Sequence, residues 1–256
     1  MIEKETFGVD YERYALGKLL KRLVKRYGIK NVLEIPSSGV KAMPSIYSLA
    51  FGEAGCEVTL VNADKKSKKI WKDLGFNVHF VEVGDITKTN FKDSEFDFVW
   101  NFAIFPELNN KIELLNEMKR VSKRYVGIFA VNGYNIGSQV HQLLHKLKKI
   151  PWTHGDKKLL YCQNLRGLFL KTGLNVNKIR VVDTPPWPDS IGFRDLRLHR
   201  AKVDFSRLKW ESNTLDYVKT KKYPLWIKMI YAFEKIPMPF FIKLLYSHIY
   251  FSLGEK

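Results

Sequence analysis

Asn31-Val32-Leu33-Glu34-Ile35-Pro36-Ser37-Ser38-Gly39 is the stretch whose reading decides the fold. A short apolar run closed by small residues reads as a buried parallel strand that opens into a tight loop. In an open α/β sheet the loop after the first strand lies at the carboxyl edge, where ligands bind. Small residues there let the backbone approach a ligand and present amide N–H groups to it. This loop is therefore the expected cofactor site.

The pattern repeats outward from that strand. Upstream, residues 11–27 place Tyr14, Leu16, Leu19, Leu20, Leu23 and Val24 on one helical face and most of the lysines and arginines on the other, with Gly28 as the stop. Downstream, the sequence predicts a helix over 46–55, a strand over 57–61, a helix over 65–74 and a strand over 78–83. A strand over 96–101, a helix over 112–122 and a strand over 125–131 follow. Strands alternating with helices indicate βαβ units with right-handed crossovers. The expected fold is α/β: a doubly wound, Rossmann-like, mostly parallel sheet with helices on both faces. Beyond residue 131 the sequence predicts helices over 136–149 and 158–172 and a strand over 176–182. Residues 183–190 (DTPPWPDS) are expected to be irregular, because their prolines remove donors and fix φ.

Composition sets the bounds. The 256 residues suffice for a sizeable core, and 45% hydrophobic with 27% charged residues is the profile of a folded protein. The formal charge of +17 suggests an acidic partner, either nucleic acid, an anionic membrane surface or an acidic small molecule. A surface that simply favours lysine is the alternative. Cys56 and Cys162 form no metal or disulfide framework, which fits reduced thiols in the cytoplasm. The charged first residues carry no signal-peptide core, and no apolar run approaches the ~20 residues of a membrane span.

Polar residues recur at the predicted carboxyl ends of strands: Glu34 to Gly39, then Asn62 and Asp64, then Asp85. An acceptor after the second strand suits the vicinal hydroxyls of a ribose. An acid after the third, beside Ile86, suits an exocyclic amine with an apolar ring next to it. Together they describe a pocket for an adenosine-containing cofactor. Taken singly, each is also an ordinary turn residue. A dinucleotide fingerprint would need G-x-G-x-x-G, and Pro36 to Lys41 holds one glycine; a phosphate loop of the GxxxxGK(S/T) kind is absent.

With VLEIPSSG, VTLVNAD, VEVGDITKTNF, FDFVWNF and YVGIFAVNGYN in this order and spacing, the chain resembles class I S-adenosylmethionine-dependent methyltransferases over residues 11–188. The resemblance implies S-adenosylmethionine as cofactor, with Glu34, Pro36, Ser37 and Gly39 at its methionine part. It implies Asn62 and Asp64 at the ribose, Asp85 and Ile86 at the adenine, and Asn101 and Phe102 beneath the sulfonium. The first loop departs from the family's ExGxGxG, since Pro36 and Ser38 stand at glycine-type positions, and Asn62 replaces the family's ribose acid.

Methyl transfer asks mainly for alignment and exclusion of water, with a general base where the acceptor is a hydroxyl or amine. His141, His145 and His154 are the candidates for that base, His154 foremost, with Asn132 and Tyr134 as positioning groups; His141 and Trp187 are candidates to face the substrate. His141 and His145 share a helical face, a spacing that suits a metal pair. Gln142, however, stands where a zinc protease needs Glu, and no metal is expected. A structural or solvated role is the reading for His145.

The expected domains are 1–190, methyltransferase-like with an N-terminal helix over 1–28, and 191–256, a basic, aromatic-rich helical extension. In residues 223–256, lysines punctuate apolar and aromatic segments. That pattern fits helices at an anionic membrane interface, a substrate lid or a homodimer contact. The expected function is methyl transfer to a small-molecule or lipid-like acceptor, in the cytoplasm or at the inner membrane surface. The alternatives are a non-catalytic adaptor at a membrane or protein surface, and an RNA methyltransferase, favoured by charge alone.

Overall fold

The computed structural model describes residues 2–39, 43–187 and 209–256. The chain forms two interleaved compact units. Residues 1–16, 131–154 and 181–250 make one; residues 17–130, 155–180 and 251–256 make the other. The domain boundary expected at 190 lies outside the described residues, as do Pro188 to Ser190 of the proline-rich loop.

The second unit carries the sheet. In chain order its elements are β2 (Asn31–Glu34), α2 (Leu49–Glu53), β3 (Glu57–Val61), α3 (Lys65–Leu74), β4 (Val78–Val81), β5 (Phe96–Phe102), α4 (Lys111–Val121), β6 (Ser122–Val131), α6 (Cys162–Lys171), β7 (Asn175–Val182) and β9 (Ile249–Glu255). The division between the units falls within the helix α1 (Phe7–Tyr27), after Leu16. The strand order is β4-β3-β2-β5-β6-β9-β7, and β4, β3, β2, β5 and β6 pair in parallel. Val32, Leu33, Val58, Leu60, Val99, Trp100, Ile128 and Phe129 are all but inaccessible to solvent, as expected for strands covered on both faces.

The predicted boundaries of β3 and α3 match the structure. Asp64 caps α3 by accepting the N–H of Lys66, and Gly75 closes it at φ 68°. Other boundaries differ from those expected. β4 stops at Val81 because the N–H of Val83 goes to the side chain of Asn62 instead of to a strand. Ile46 has no regular structure and residues 47–48 are turn, so α2 begins at Leu49. The helix expected over 158–172 is a 3-10 turn, Lys157–Leu160, followed by α6, because Tyr161 is extended between them.

The largest departure is β9. Residues expected to belong to a helical extension form a strand between β6 and β7. It runs antiparallel to β6, since the N–H of Asn132 reaches the carbonyl of His248 while the N–H of Lys256 reaches that of Arg124. Phe251 stacks on Phe129 at 4.7 Å.

The first unit pairs β1 (Ile2–Lys4) in parallel with β8 (Lys209–Glu211). It also holds α5 (Ile136–Leu147), α7 (Asn213–Thr220), α8 (Leu225–Glu234) and α9 (Phe240–Tyr246). Asp10 accepts from Asn213 and Thr214, and the Tyr11 hydroxyl donates to Glu234 at 2.6 Å. Among the described residues no helix is long and apolar enough to cross a membrane.

Candidate functional site

The loops after β2, β3 and β5 brace one another. Glu34 turns inward at the end of β2 and accepts from the Ser48 hydroxyl at 2.6 Å; that hydroxyl accepts in turn from the indole N–H of Trp100 at 3.0 Å. Burial pushes the Glu34 carboxyl up to about 8, against the opposing pull of Ser48. The Ile35–Pro36 peptide is cis. Ser37 donates its N–H (2.8 Å) and its hydroxyl (3.1 Å) to the carbonyl of Val61 at the end of β3. Ser45, a non-glycine residue at φ 60°, joins the two loops: its hydroxyl donates to the Ser37 carbonyl at 3.0 Å and accepts the Asp64 N–H at 2.9 Å, while its carbonyl accepts from Trp71 at 2.6 Å.

Asn62, expected at the ribose, is partly engaged within the fold. Its Nδ2 donates to the Val83 carbonyl at 3.0 Å and its Oδ1 accepts the Val83 N–H at 2.8 Å. The amide thus stitches the ends of β3 and β4 together, with the residue at φ 54°. Asp64 remains as the acid at this edge, one oxygen capping α3. Asp85 is exposed. Its Oδ1 accepts the N–H and hydroxyl of Thr87 at 2.8 and 2.7 Å, and these two bonds hold its carboxyl below the usual range. Ile86 beside it is half-buried.

Asn101, expected beneath the sulfonium, is fully buried, and both ends of its amide are engaged within the fold. Its Nδ2 donates to the carbonyls of Ile35 and Pro36 at 3.0 and 3.2 Å, and its Oδ1 accepts the Phe105 N–H at 2.9 Å. It is a positioning residue that ties β5 to the first loop. Phe102 is also buried, stacked on Tyr47 at 4.0 Å. Gly39 is exposed at φ 98°, and a Cβ there would lie 2.8 Å from side-chain carbons of Ile104. The first loop therefore needs glycine at this position. A cavity of about 340 Å³ lies at the opposite, amino end, where Asn31, Glu57 and Phe96 begin β2, β3 and β5.

An adenosine group fits part of this edge. Asp85, ionised and open to solvent beside half-buried Ile86, suits an exocyclic amine, and Asp64 is the acid available to a ribose. Asn62, half-buried, has one N–H and one lone pair engaged by Val83, which leaves one of each for a ribose hydroxyl. Ser45 and Ser48, which organise the loops, carry no sequence signal beyond being small polar residues in MPSIYS.

The other candidates lie in the first unit. Asn132 is fully buried; its Nδ2 donates to the carbonyls of Leu244 and Ser247 at 2.7 and 2.8 Å, and its Oδ1 accepts the Tyr134 N–H at 3.0 Å. It anchors the end of α9 to the start of α5. Trp187 packs edge-on to Phe7 and Tyr11 at 5.4 and 5.9 Å. His141, His145 and His154 converge, with His141 and His145 buried and Trp152 beside all three rings. His145 thus belongs to a cluster that no spacing rule linked to His154.

Residues 42–130 match the family model described as a methyltransferase domain. No curated protein matches the chain. Solved structures do. A SAM-dependent methyltransferase from Archaeoglobus fulgidus is 18% identical, with 94% of each chain covered and a TM-score of 0.50. The YcgJ protein of Bacillus subtilis is 13% identical, covers 94% of this chain and 97% of its own, and has a TM-score of 0.54. A SAM-dependent methyltransferase of Thermotoga maritima, titled a possible histamine N-methyltransferase, is 13% identical over 96% of this chain and 90% of its own, with a TM-score of 0.53. Identities this low speak to fold. Residues 42–130 carry a methyltransferase domain, and the chain has the fold of class I SAM-dependent methyltransferases.

Proposed function

We propose that the chain transfers a methyl group from S-adenosylmethionine to a small-molecule or lipid-like acceptor met at an anionic membrane surface. The observation that carries the acceptor class is the set of apolar side chains that three helices of the first unit leave exposed. On α5, Ile136, Val140, Leu143 and Leu147 recur at helical spacing and are 40–68% exposed. Leu225 and Met229 on α8 and Phe241 on α9 are 72%, 64% and 67% exposed, and Lys228 and Lys235 are exposed among them. Apolar area of this kind beside lysine suits the interface of an anionic bilayer.

At the sheet edge, Asp85 would accept from the exocyclic amine of the adenine, Ile86 would lie against its ring and Asp64 would take the ribose. The bound cofactor supplies an already activated methyl group. The chain's part is to align donor and acceptor and to exclude water. Asn101 and Ser45 serve by fixing the loops. The competing reading, a non-catalytic adaptor, is favoured by Asn62, whose amide is partly engaged by Val83.

Calorimetric titration separates the two. Micromolar binding of S-adenosylmethionine and S-adenosylhomocysteine, lost in Asp85→Ala, supports the enzyme; silence with both ligands leaves the adaptor. Flotation with phosphatidylglycerol vesicles, with labelled methyl counted in the lipid fraction, tests the acceptor class. Methyl appearing only in added RNA would replace a lipid-like acceptor with a nucleic acid.

A further inference from the structure

Three imidazoles converge within the first unit in a pattern no assigned role uses. His141 and His145 lie one turn apart on α5, and His154 returns to them from the loop that follows. The Nε2 atoms of His141 and His145 are 3.0 Å apart, and one nitrogen from each of the three rings lies within 4.8 Å of the others. Ring centroids are 4.6, 5.2 and 5.7 Å apart, and the ring planes meet at 74°, 69° and 83°.

A tetrahedral ion bound through nitrogen at about 2.0–2.1 Å would hold imidazole centroids about 5 Å apart and steeply inclined to one another. The three rings already have that spacing and inclination. His145 adds a directional argument. Its Nδ1 lies 3.1 Å from the carbonyl of Ile150, which can only accept, so the ring proton sits on Nδ1 and the Nε2 lone pair points into the cluster. A backbone carbonyl orienting a ligating histidine in this way is the usual outer support of a metal site. Half-buried Trp152 lies 4.7–5.7 Å from each ring and lines the cluster with apolar surface.

We infer that His141, His145 and His154 bind one divalent transition-metal ion of the zinc class, leaving a fourth position for water or a ligand oxygen. Neutral imidazole selects zinc, copper, nickel or cobalt over magnesium and calcium. In the metal-free form one N–H···N hydrogen bond joins His141 to His145; with the ion bound, His141 carries its proton on Nδ1 and both Nε2 lone pairs face the metal. No redox step is involved.

The test uses the full chain without a histidine tag, freed of metal by dialysis and titrated with Co(II). One equivalent should give the intense visible d–d absorption of four-coordinate cobalt, bleached by one equivalent of Zn(II), and Zn(II) should raise the melting temperature. His154→Gln, at a half-buried loop position, should lose the band and bind at least about a hundredfold more weakly while its circular dichroism stays unchanged. His141→Gln should behave alike; if it does not fold, His154→Gln alone decides. No stoichiometric band in the wild type, or a band that survives His154→Gln, overturns the site and leaves a hydrogen-bonded histidine stack.

Discussion

Glu34 and Asn62 stand in the loops after β2 and β3, and the fold engages both, Glu34 through Ser48 and Asn62 through Val83. Glu34 is a carboxyl with its pKa raised by burial, from 4.5 to about 8. Between these values the native state holds a proton that the unfolded chain has released, so stability is full below about pH 4.5 and falls as pH rises to 8. The size of that loss is at most about 4–5 kcal/mol. Glu34→Gln keeps the bond to Ser48 without a charge and should flatten the slope; urea midpoints at pH 5 and pH 8 would show it. Equal slopes in wild type and variant would mean that Glu34 is ionised in the fold. Asn62→Asp, which restores the family's acid, should not tighten cofactor. It would set a carboxylate oxygen against the Val83 carbonyl and cost about 1–3 kcal/mol, read as a lower urea midpoint at unchanged slope.

At the scale of elements, the sheet was largely legible. Strands buried on one pattern and helices closed by glycine announced themselves, and β3 and α3 were found to the residue. β9 was not, for a physical reason. Residues 249–252 are all buried, so Ile-Tyr-Phe-Ser shows no alternation, and an apolar run of this length reads equally as helix or strand. Asn62 and Asn101 were illegible for another reason: their partners lie 21 and 65–66 residues away in sequence, and no local pattern encodes them. If β9 is integral, Gly254→Ala should destabilise the protein by about 1–3 kcal/mol, because the new Cβ would lie 2.4 Å from Phe169 and 3.1 Å from Leu174. A thermal melt unchanged by that substitution would argue that the strand is dispensable.

At the scale of the whole molecule, the membrane attachment proposed above would draw separately on the charge of +17 and on the exposed apolar residues of α5, α8 and α9. Rising salt should weaken attachment to anionic vesicles through the charge, while Leu143→Glu with Leu147→Glu should weaken it even at low salt. Cosedimentation across a salt series distinguishes the two; attachment indifferent to both changes would remove the membrane from the account. The placing of β9 reaches further. β6 and β7 leave the ribosome before the strand that belongs between them, so the growing chain carries a vacant slot with hydrogen-bonding walls on both sides. The nascent protein must keep that slot from closing on itself or on a neighbour, which puts its aggregation hazard in the time of synthesis and not in the finished fold.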